Sequence, residues 1–400
     1  MLKGKTVVLG VTGSIAAYKI ANLASMLIKQ HCDVHVIMTE NATNFINPIT
    51  FETITNHKCL VETFDRNFQF HVAHVSLAQQ ADAMLIAPAS ANIIAKLAHG
   101  IADDMLSTTA LACNAPIIVA PTMNTRMYEN PITQDNIQTL RNYGFTVIEP
   151  DTGMLACRDV GAGKMPAETV LMDYLLKEIA CEKDLYGKNI LVSAGPTREA
   201  IDPVRFISNH STGKMGYAIA KRAMLRGANV TLVSGPTNLT PPPFVNTIQV
   251  QSAEDMFAAV TAYAPNQDII IKSAAVADYT PQTVATEKIK KKAEDASIEL
   301  CRTQDILSFL GEHKIEGQIL CGFSMETENM LENSKIKLEK KNADMIVANN
   351  LKDAGAGFGT DTNLVTLITR DEVVELPLLS KEEIADKLLS QLLLLHKEGK

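Results

Sequence analysis

The chain has 400 residues, 46% of them apolar and 20% charged, with a formal net charge of −8. This length points to two domains, the balance excludes a disordered chain, and the acidic surplus gives no footing for a nucleic-acid partner. Seven cysteines, an odd number with no C-x-x-C pair, argue against a disulfide framework and a zinc site and fit a reduced, cytoplasmic setting.

The opening run MLKGKTVVLGVTGSIAAYK reads as a strand broken by glycines, too short for a signal segment. No window approaches the ~18 apolar residues of a membrane span, so no membrane partner is expected. Thr6–Val11 is a short β-rich apolar run, residues 16–30 carry helical periodicity, and residues 34–38 are apolar again. This is a βαβ unit, the mark of a parallel sheet with helices on its faces. Residues 83–87 and 117–120 read as buried strands, each ended by a proline, Pro88 and Pro121. A helix-like stretch at 167–184 closes the first half. A second start follows, with Gly187-Lys188 before a new apolar strand as Gly4-Lys5 stands before the first. The second half reads as a helix at 216–226, strands at Asn229–Ser234, 269–273, 319–323 and 345–348, and a closing amphipathic helix at 384–395. The predicted fold is α/β, two Rossmann-like three-layer domains with mostly parallel sheets, at 1–185 and 186–400.

GVTGSIAAYK joins the first strand to the first helix. Backbone N–H groups at a helix N-terminus favour an anion, and Gly10 and Gly13 let it come close. The turn serves equally as a tight connection. It lacks the G-x-G-x-x-G spacing of a dinucleotide site, so a mononucleotide is the better match. Four blocks accompany it: HVSLAQQAD with His74, APASANIIAKLAHGIADDMLSTT, APTMNTRMYENP and GMLACRDVGAGKM. Three fall near strand ends, where open α/β sheets bind ligands. Singly, each residue has a plainer reading: a structural histidine in His74, a small core residue in Cys157, and helix or turn caps in Ser90, Asn92 and Asn124.

Together these blocks resemble the homo-oligomeric flavin-containing cysteine decarboxylases across nearly all of residues 1–180. Pro-x-Met-Asn-x-x-Met (121–127) and Ala-Cys…Gly-x-Gly-Lys-Met (156–165) are the specific ones. The resemblance implies FMN held by Gly13, Ser14, Ser90, Asn92, Ser107 and Thr108. It implies His74 as catalytic base, Asn124 on the substrate carboxylate and Cys157 as proton donor. Arg158 departs from the small residue usual after that cysteine. A cysteinyl carboxylate has no electron sink of its own, and a flavin supplies one by oxidising the thiol-bearing carbon before CO2 leaves. His74 can exchange a proton near neutral pH.

The stretch SAGPTREAIDPVRFISNHSTGKMG is polar and Gly-rich, and reads as a long loop before a helix, with Gly213 and Gly216 flanking Lys214 in an anion-suited nest. It is no Walker A loop, and a decorated crossover loop is the plainer reading. SAAVADYTP puts Asp278 beyond a strand, EKIKK supplies Lys288, and GFSMET follows another strand. Lys337 and Lys341, four apart, share a helix face, ordinarily a solvated one.

These blocks resemble phosphopantothenoylcysteine synthetase over roughly residues 186–400, with SNHSTGKMG and AAVADY the characteristic ones; the order of the halves resembles the bacterial fusion of the two families. The resemblance implies CTP contacts from Ala274, Ala275, Asp278, Lys288, Gln304, Asp305, Ile306, Leu307, Phe323, Lys337 and Lys341. Asn209 would hold the acyl intermediate and Lys288, the lysine nearest the AAVADY strand end, would assist its formation. Gln304 and Ser324-Met325 depart from the family's usual Pro and Ala-Ala. The implied substrates are CTP, 4′-phosphopantothenate and cysteine, with Mg2+ on the CTP phosphates and no protein metal ligands assigned. Trimers of the flavin half and dimers of the ligase half are implied, compatible with a dodecamer. Competing readings are a single-activity flavoprotein decarboxylase with a non-catalytic second half, a flavin-prenylating partner protein, a scaffold that kept the folds, and an NAD-dependent reductase. The second half argues against the flavin-prenylating reading, the joint presence of His74, Asn124 and Cys157 against the scaffold, and the missing dinucleotide fingerprint against the reductase.

Overall fold

The computed structural model describes residues 2–63, 73–155, 159–290, 297–326, 330–350 and 359–398. The chain divides into two compact units, Met1–Cys181 and Glu182–Lys400.

The first unit contains β1 (Thr6–Val11), α1 (Ala17–Lys29), β2 (Asp33–Met38), α2 (Pro48–Thr55), α3 (Ala73–Gln80), β3 (Ala83–Ala89), α4 (Ala91–Ala98) and α5 (Met105–Ala112). It continues with β4 (Ile117–Pro121), α6 (Thr125–Tyr128), α7 (Pro131–Asn142), β5 (Thr146–Val147), a hairpin of β6 (Asp151–Met154) and β7 (Val160–Lys164), and α8 (Glu168–Ile179). Five parallel strands run in the order β2-β1-β3-β4-β5. Both faces are buried, and the strand period of two divides the side chains between two cores. Val7, Leu9, Leu85 and Ile118 join α1 and α8 on one side. Val8, Met84, Ile86 and Val119 join α4, α5 and α7 on the other.

Of the two prolines, Pro121 ends its strand as expected and Pro88 does not. β3 passes through Pro88 to Ala89 and β4 includes Pro121. A register shift between Ile86 and Ala89 accommodates the proline, which has no N–H for the ladder. The Pro88 carbonyl instead accepts the Thr12 hydroxyl at 2.7 Å.

The second unit starts with β8 (Asn189–Ala194), a hairpin of β9 (Arg198–Ala200) and β10 (Phe206–Ser208), α9 (Lys214–Leu225), β11 (Asn229–Ser234), β12 (Asn246–Gln249), α10 (Ala253–Tyr263) and β13 (Ile269–Lys272). A ribbon of β14 (Tyr279–Pro281) and β15 (Leu300–Arg302) precedes α11 (Ile306–Glu312), β16 (Ile319–Glu326), α12 (Met330–Lys340) and β17 (Met345–Asn350). β18 (Thr362–Asn363), β19 (Val365–Ile368), β20 (Val373–Glu375), β21 (Leu379–Ser380) and α13 (Lys381–Glu398) complete it. The large sheet runs β12-β11-β8-β13-β16-β17-β19-β20, parallel through β17 and antiparallel beyond. Leu191, Ile270, Leu320 and Ile346 pack with α10, α11 and α12 on one face, while α9 and α13 pack together on the other. The polar stretch 193–216 is not a plain loop. It carries the β9–β10 hairpin, fastened by the Asp202 carboxylate and by Arg198 over the Phe206 ring at 4.6 Å.

Among the described residues, no helix is long and apolar enough to cross a membrane.

Candidate functional site

Each main sheet has a topological switch point, where connections leave in opposite directions and open a crevice beyond the carboxyl ends of the strands. In the first unit it lies between β1 and β3. Thr12 ties the two strand ends together, donating to the Pro88 carbonyl and accepting the Ser90 N–H at 3.0 Å. Ser14 and Ser90 therefore sit on two loops with a fixed spacing. Ser90 caps α4 through the Ile93 N–H, and Asn92 lies exposed in that helix's first turn. α1 starts without a side-chain cap, which leaves its N-terminus suited to an anion.

The glycines of the first turn serve packing. A Cβ on Gly10 would lie 2.5 Å from a Leu106 methyl, and one on Gly13 would lie 2.9 Å from Asn41. Both glycines thus let β1 and the turn after it lie directly against their neighbours.

A cavity of about 410 Å³ is lined by Ser14, Ile15, Tyr18, Met123, Asn124 and Leu155, among others. Asn124 follows β4 and caps α6, its Oδ1 accepting the Arg126 N–H at 2.9 Å and its Nδ2 donating to the Asp159 carboxylate at 2.9 Å. The β6–β7 hairpin supplies part of the cavity wall and is tied to the loop after β4, since Gly163 at φ +128° lets the Met123 N–H reach the Gly163 carbonyl at 3.0 Å. A Cβ there would meet the Met123 carbonyl oxygen at 2.3 Å. Leu155 donates its N–H to Asp159 across the hairpin end at 2.8 Å. Cys157, between them, lies outside the described residues, as does Arg158.

Other expected residues stand apart from this cavity. His74 is half-buried in the first turn of α3. Ser107 is fully engaged in a capping box with Asp104, and it lines a different crevice of about 1050 Å³ around the start of β4. Thr108 donates to the Ala102 carbonyl at 3.4 Å. One chain thus gathers Ser14 and Asn124 but not His74, Ser107 or Thr108. The one convergent group of metal-ligating side chains among the described residues, Asp33, His35 and His57, stands at the opposite, amino end of the sheet.

In the second unit the crevice lies between β8 and β13, and the segment 209–216, the loop after β13 and the carboxyl-terminal parts of β16 and β17 line a cavity of about 420 Å³. Asn209, Ala274, Ala275, Asp278, Phe323 and Lys337 all line it. Asn209 Nδ2 donates to the Ala275 carbonyl at 2.9 Å. Ala275 donates to the Gly195 carbonyl, Ala274 to the Ser193 hydroxyl and Ala277 to the Thr197 hydroxyl, so the AAVADY stretch is laced to the exit of β8.

Asp305 caps α11 and pairs with Lys341 at 2.8 Å, which lies just past the end of α12. Ile306 and Leu307 are core residues, so only their backbone is open to a ligand. Gln304, Asp305, Lys341 and Lys288 do not line the cavity itself. Lys288 is exposed, and the next residue anchors it: the Ile289 N–H donates to Asp202 at 3.1 Å and the Ile289 carbonyl accepts Arg205 at 2.9 Å. The Arg205 guanidinium and three backbone N–H groups hold the Asp202 carboxyl well below the usual carboxylate range.

Reading the sequence missed two cavity lysines. Lys272 ends β13, with one serine between it and the AAVADY stretch, and is nearer to that stretch than Lys288. Lys381, at the start of α13, is pushed down by burial and by the charge of Lys214. With Lys214 and Lys337, four lysines line one cavity, against the carboxylate of Asp278. Such a set of cations suits an anion, and phosphates match it chemically.

Residues 1–180 match the family model described as flavoprotein, and residues 185–395 the one described as DNA/pantothenate metabolism flavoprotein C-terminal domain. The coenzyme A biosynthesis bifunctional protein of Bacillus subtilis (strain 168) is 46% identical over 402 residues, which span 100% of this chain and 99% of the relative. Its counterpart in Haemophilus influenzae is 44% identical over 392 residues, 98% of each chain. A crystal structure of the C-terminal domain of such a bifunctional protein is 50% identical and covers 54% of this chain and 100% of its own, at a TM-score of 0.47.

Proposed function

The chain belongs to the family of coenzyme A biosynthesis bifunctional proteins, and on that premise we propose that it catalyses two consecutive reactions. The second unit joins 4′-phosphopantothenate to cysteine at the expense of CTP, through an acyl-cytidylate. The first unit decarboxylates the resulting phosphopantothenoylcysteine to 4′-phosphopantetheine. The observation that carries this reading is the second unit's cavity, where Asn209, the AAVADY stretch and four lysines meet at the carboxyl ends of parallel strands.

The ligation follows from the residues. A carboxylate is a poor electrophile toward an amine. The phosphopantothenate carboxylate attacks the α-phosphorus of CTP, and the bond to the β-phosphate oxygen breaks. Pyrophosphate leaves with that electron pair. Lys288 offsets the charge of two anions brought together, and Lys337 and Lys341 act on the nucleotide phosphates with Mg2+. The cysteine amine then attacks the acyl carbon, held by the neutral Asn209 amide, and CMP departs.

In the first unit the residues fit a flavin mononucleotide. α1 offers an uncapped N-terminus to the phosphate, Ser14 and Ser90 stand at the switch point, and Ile15, Tyr18 and Leu155 supply apolar wall. Bound FMN supplies the two-electron oxidation of the thiol-bearing carbon and its later reversal. Gly13, Ser14, Ser90, Asn92, Ser107 and Thr108 hold the cofactor. His74 takes the substrate's thiol proton, Asn124 holds its carboxylate, and Cys157 returns a proton to the decarboxylated carbon. The dispersal of Ser107, Thr108 and His74 away from the Asn124 cavity supports a site completed by a second copy of the chain, as in flavin-unit trimers. Ligase dimers linking such trimers give a dodecamer. A cytoplasmic setting agrees with the odd cysteine count and the lack of a C-x-x-C pair.

Two measurements test this. The purified protein should show flavin absorption in the visible blue, and it should release pyrophosphate from CTP when phosphopantothenate is added. A protein of residues 1–181 should keep the flavin bands and decarboxylate supplied phosphopantothenoylcysteine. A colourless, folded protein of residues 1–181 overturns the assignment of FMN to this unit.

A further inference from the structure

Lys272 stands at the carboxyl end of β13, the strand next to the switch point, flanked by Ser193 of β8 and Gly322 of β16. It shares a sheet face with Ile270, two residues back in the hydrophobic core. A lysine at this position breaks an apolar run of three isoleucines where a further apolar residue would extend the core. Its side chain instead lines the cavity.

Among the described residues, the Lys272 ammonium has no hydrogen bond and no ion pair, whereas the other lysines around it do. Lys337 donates to the Phe323 carbonyl at 3.4 Å, Lys341 pairs with Asp305 at 2.8 Å, and Lys214 pairs with Asp361 at 2.7 Å. The charged groups facing Lys272 are Lys337 from α12, Asp305 from the cap of α11, and Asp278 from the loop after β13. Asp305 is already matched by Lys341. Two ammonium groups, Lys272 and Lys337, therefore repel one another at the cavity wall, a repulsion that Asp278 and the already paired Asp305 oppose. A half-buried cation without a partner is costly unless an anion arrives, and a polyanion relieves both lysines at once.

We propose that Lys272 binds the β- and γ-phosphates of CTP, the part that leaves as pyrophosphate, and so acts as a catalytic residue of the ligation. This rests on the nucleotide reading of the cavity given above. As the bond between the α-phosphorus and the bridging oxygen breaks, negative charge grows on the departing pyrophosphate. A cation already in contact there stabilises that charge more than the ground state. Burial, then the charge of Lys337, pushes Lys272 down to about 8, against the opposing pull of Asp305 and Asp278. The free lysine is thus partly neutral at pH 8, and contact with phosphate favours its charged form, so binding takes up a proton.

The test uses the full chain. With Lys272→Met, the KM for CTP should rise at least about tenfold and pyrophosphate binding should weaken in parallel, since charge-assisted contacts to phosphate are strong. Affinity for CMP, and the KM values for phosphopantothenate and cysteine, should stay as in the wild type. Lys272→Arg, which keeps the charge, should recover most of the loss. On the unaltered protein, calorimetry of CTP binding at pH 8 in two buffers of different ionisation enthalpy should show net proton uptake, which also serves if the methionine variant does not fold. A parallel loss of CMP affinity, a shift confined to phosphopantothenate, unchanged KM values, or no proton uptake by the wild type would each overturn the assignment. Failure of the wild type to bind CTP at all would instead sink the nucleotide reading itself.

Discussion

The Asn124 amide donates to the Asp159 carboxylate at 2.9 Å, joining the loop after β4 to the foot of β7. Its other end is spent on the Arg126 N–H, so the side chain is oriented with Nδ2 outward. The chain thus aims the amide at a carboxylate, the group that Asn124 is assigned to hold in the substrate.

Asn124→Ala removes that donor without touching the residues at the switch point. A hydrogen bond to a charged group is worth about 1.5–3 kcal/mol, a factor of roughly 10–100. Decarboxylation should fall by about that factor in kcat/KM while the visible flavin bands remain. Steady-state kinetics beside an absorption spectrum checks both. Loss of the flavin with the activity would show that Asn124 supports the cofactor site and does not hold the substrate.

Cys157→Ser keeps the side chain's size but raises its donor pKa by several units from about 8.5. Carbon dioxide should still be released, while the oxidised enethiol product builds up in place of the reduced one. Mass spectrometry of the products decides it. Normal product at the parent rate would remove Cys157 from the mechanism.

The strands were legible from sequence because their apolar runs are buried on both faces; Val7 and Val8 turn to opposite cores and each needs an apolar neighbour. The β9–β10 hairpin was not. Arg198–Ala200 is short and polar, and its pairing is fixed by side chains from elsewhere in the loop, Asp202 above all. The β14–β15 ribbon joins segments well separated in sequence, and no local pattern announces such a pair. Asn209 and the AAVADY stretch were read as belonging to one site and do meet, through the Asn209–Ala275 hydrogen bond. Lys272 was hidden as the last letter of an apolar strand, since only the fold shows that its side chain opens into the cavity. For Ser107, sequence could not tell a free hydroxyl from one spent on a helix cap.

Asp202 gives a prediction with a sign. Its folded pKa is depressed by Arg205 first and by backbone N–H groups after. Its contribution to stability is therefore present above the unfolded value of about 3.9 and is lost as pH falls through the folded one. Asp202→Asn should lower the unfolding temperature of the ligase unit throughout pH 5–8, and the gap from the wild type should narrow as pH falls below about 4. Because Asp202 also accepts the Ile289 N–H, the variant should lose pyrophosphate release through the displaced Lys288 segment. Thermal scans across pH, with a pyrophosphate assay at pH 7.5, read both effects. An unchanged rate would detach the Asp202 anchor from Lys288 function.

Lys288 and Asn209 should fail differently. Forming the anhydride brings two anions together, which calls for a cation, and Lys288 is exposed and anchored through its neighbour Ile289. Holding a carbonyl during aminolysis calls for a neutral donor, and the Asn209 amide already makes one such contact, to the Ala275 carbonyl at 2.9 Å. Lys288→Gln should abolish pyrophosphate release from CTP and phosphopantothenate even without cysteine. Asn209→Asp should permit some pyrophosphate release yet complete little amide, because its carboxylate repels the acyl phosphate and also the Ala275 carbonyl oxygen. A purely structural role for both would lower CTP affinity and the unfolding temperature together. Pyrophosphate release and amide formation, measured on each variant after thermal unfolding confirms its fold, separate these cases. Equal loss of both signals in both variants would refute the division of labour, and wild-type activity in either would remove that residue from the reaction.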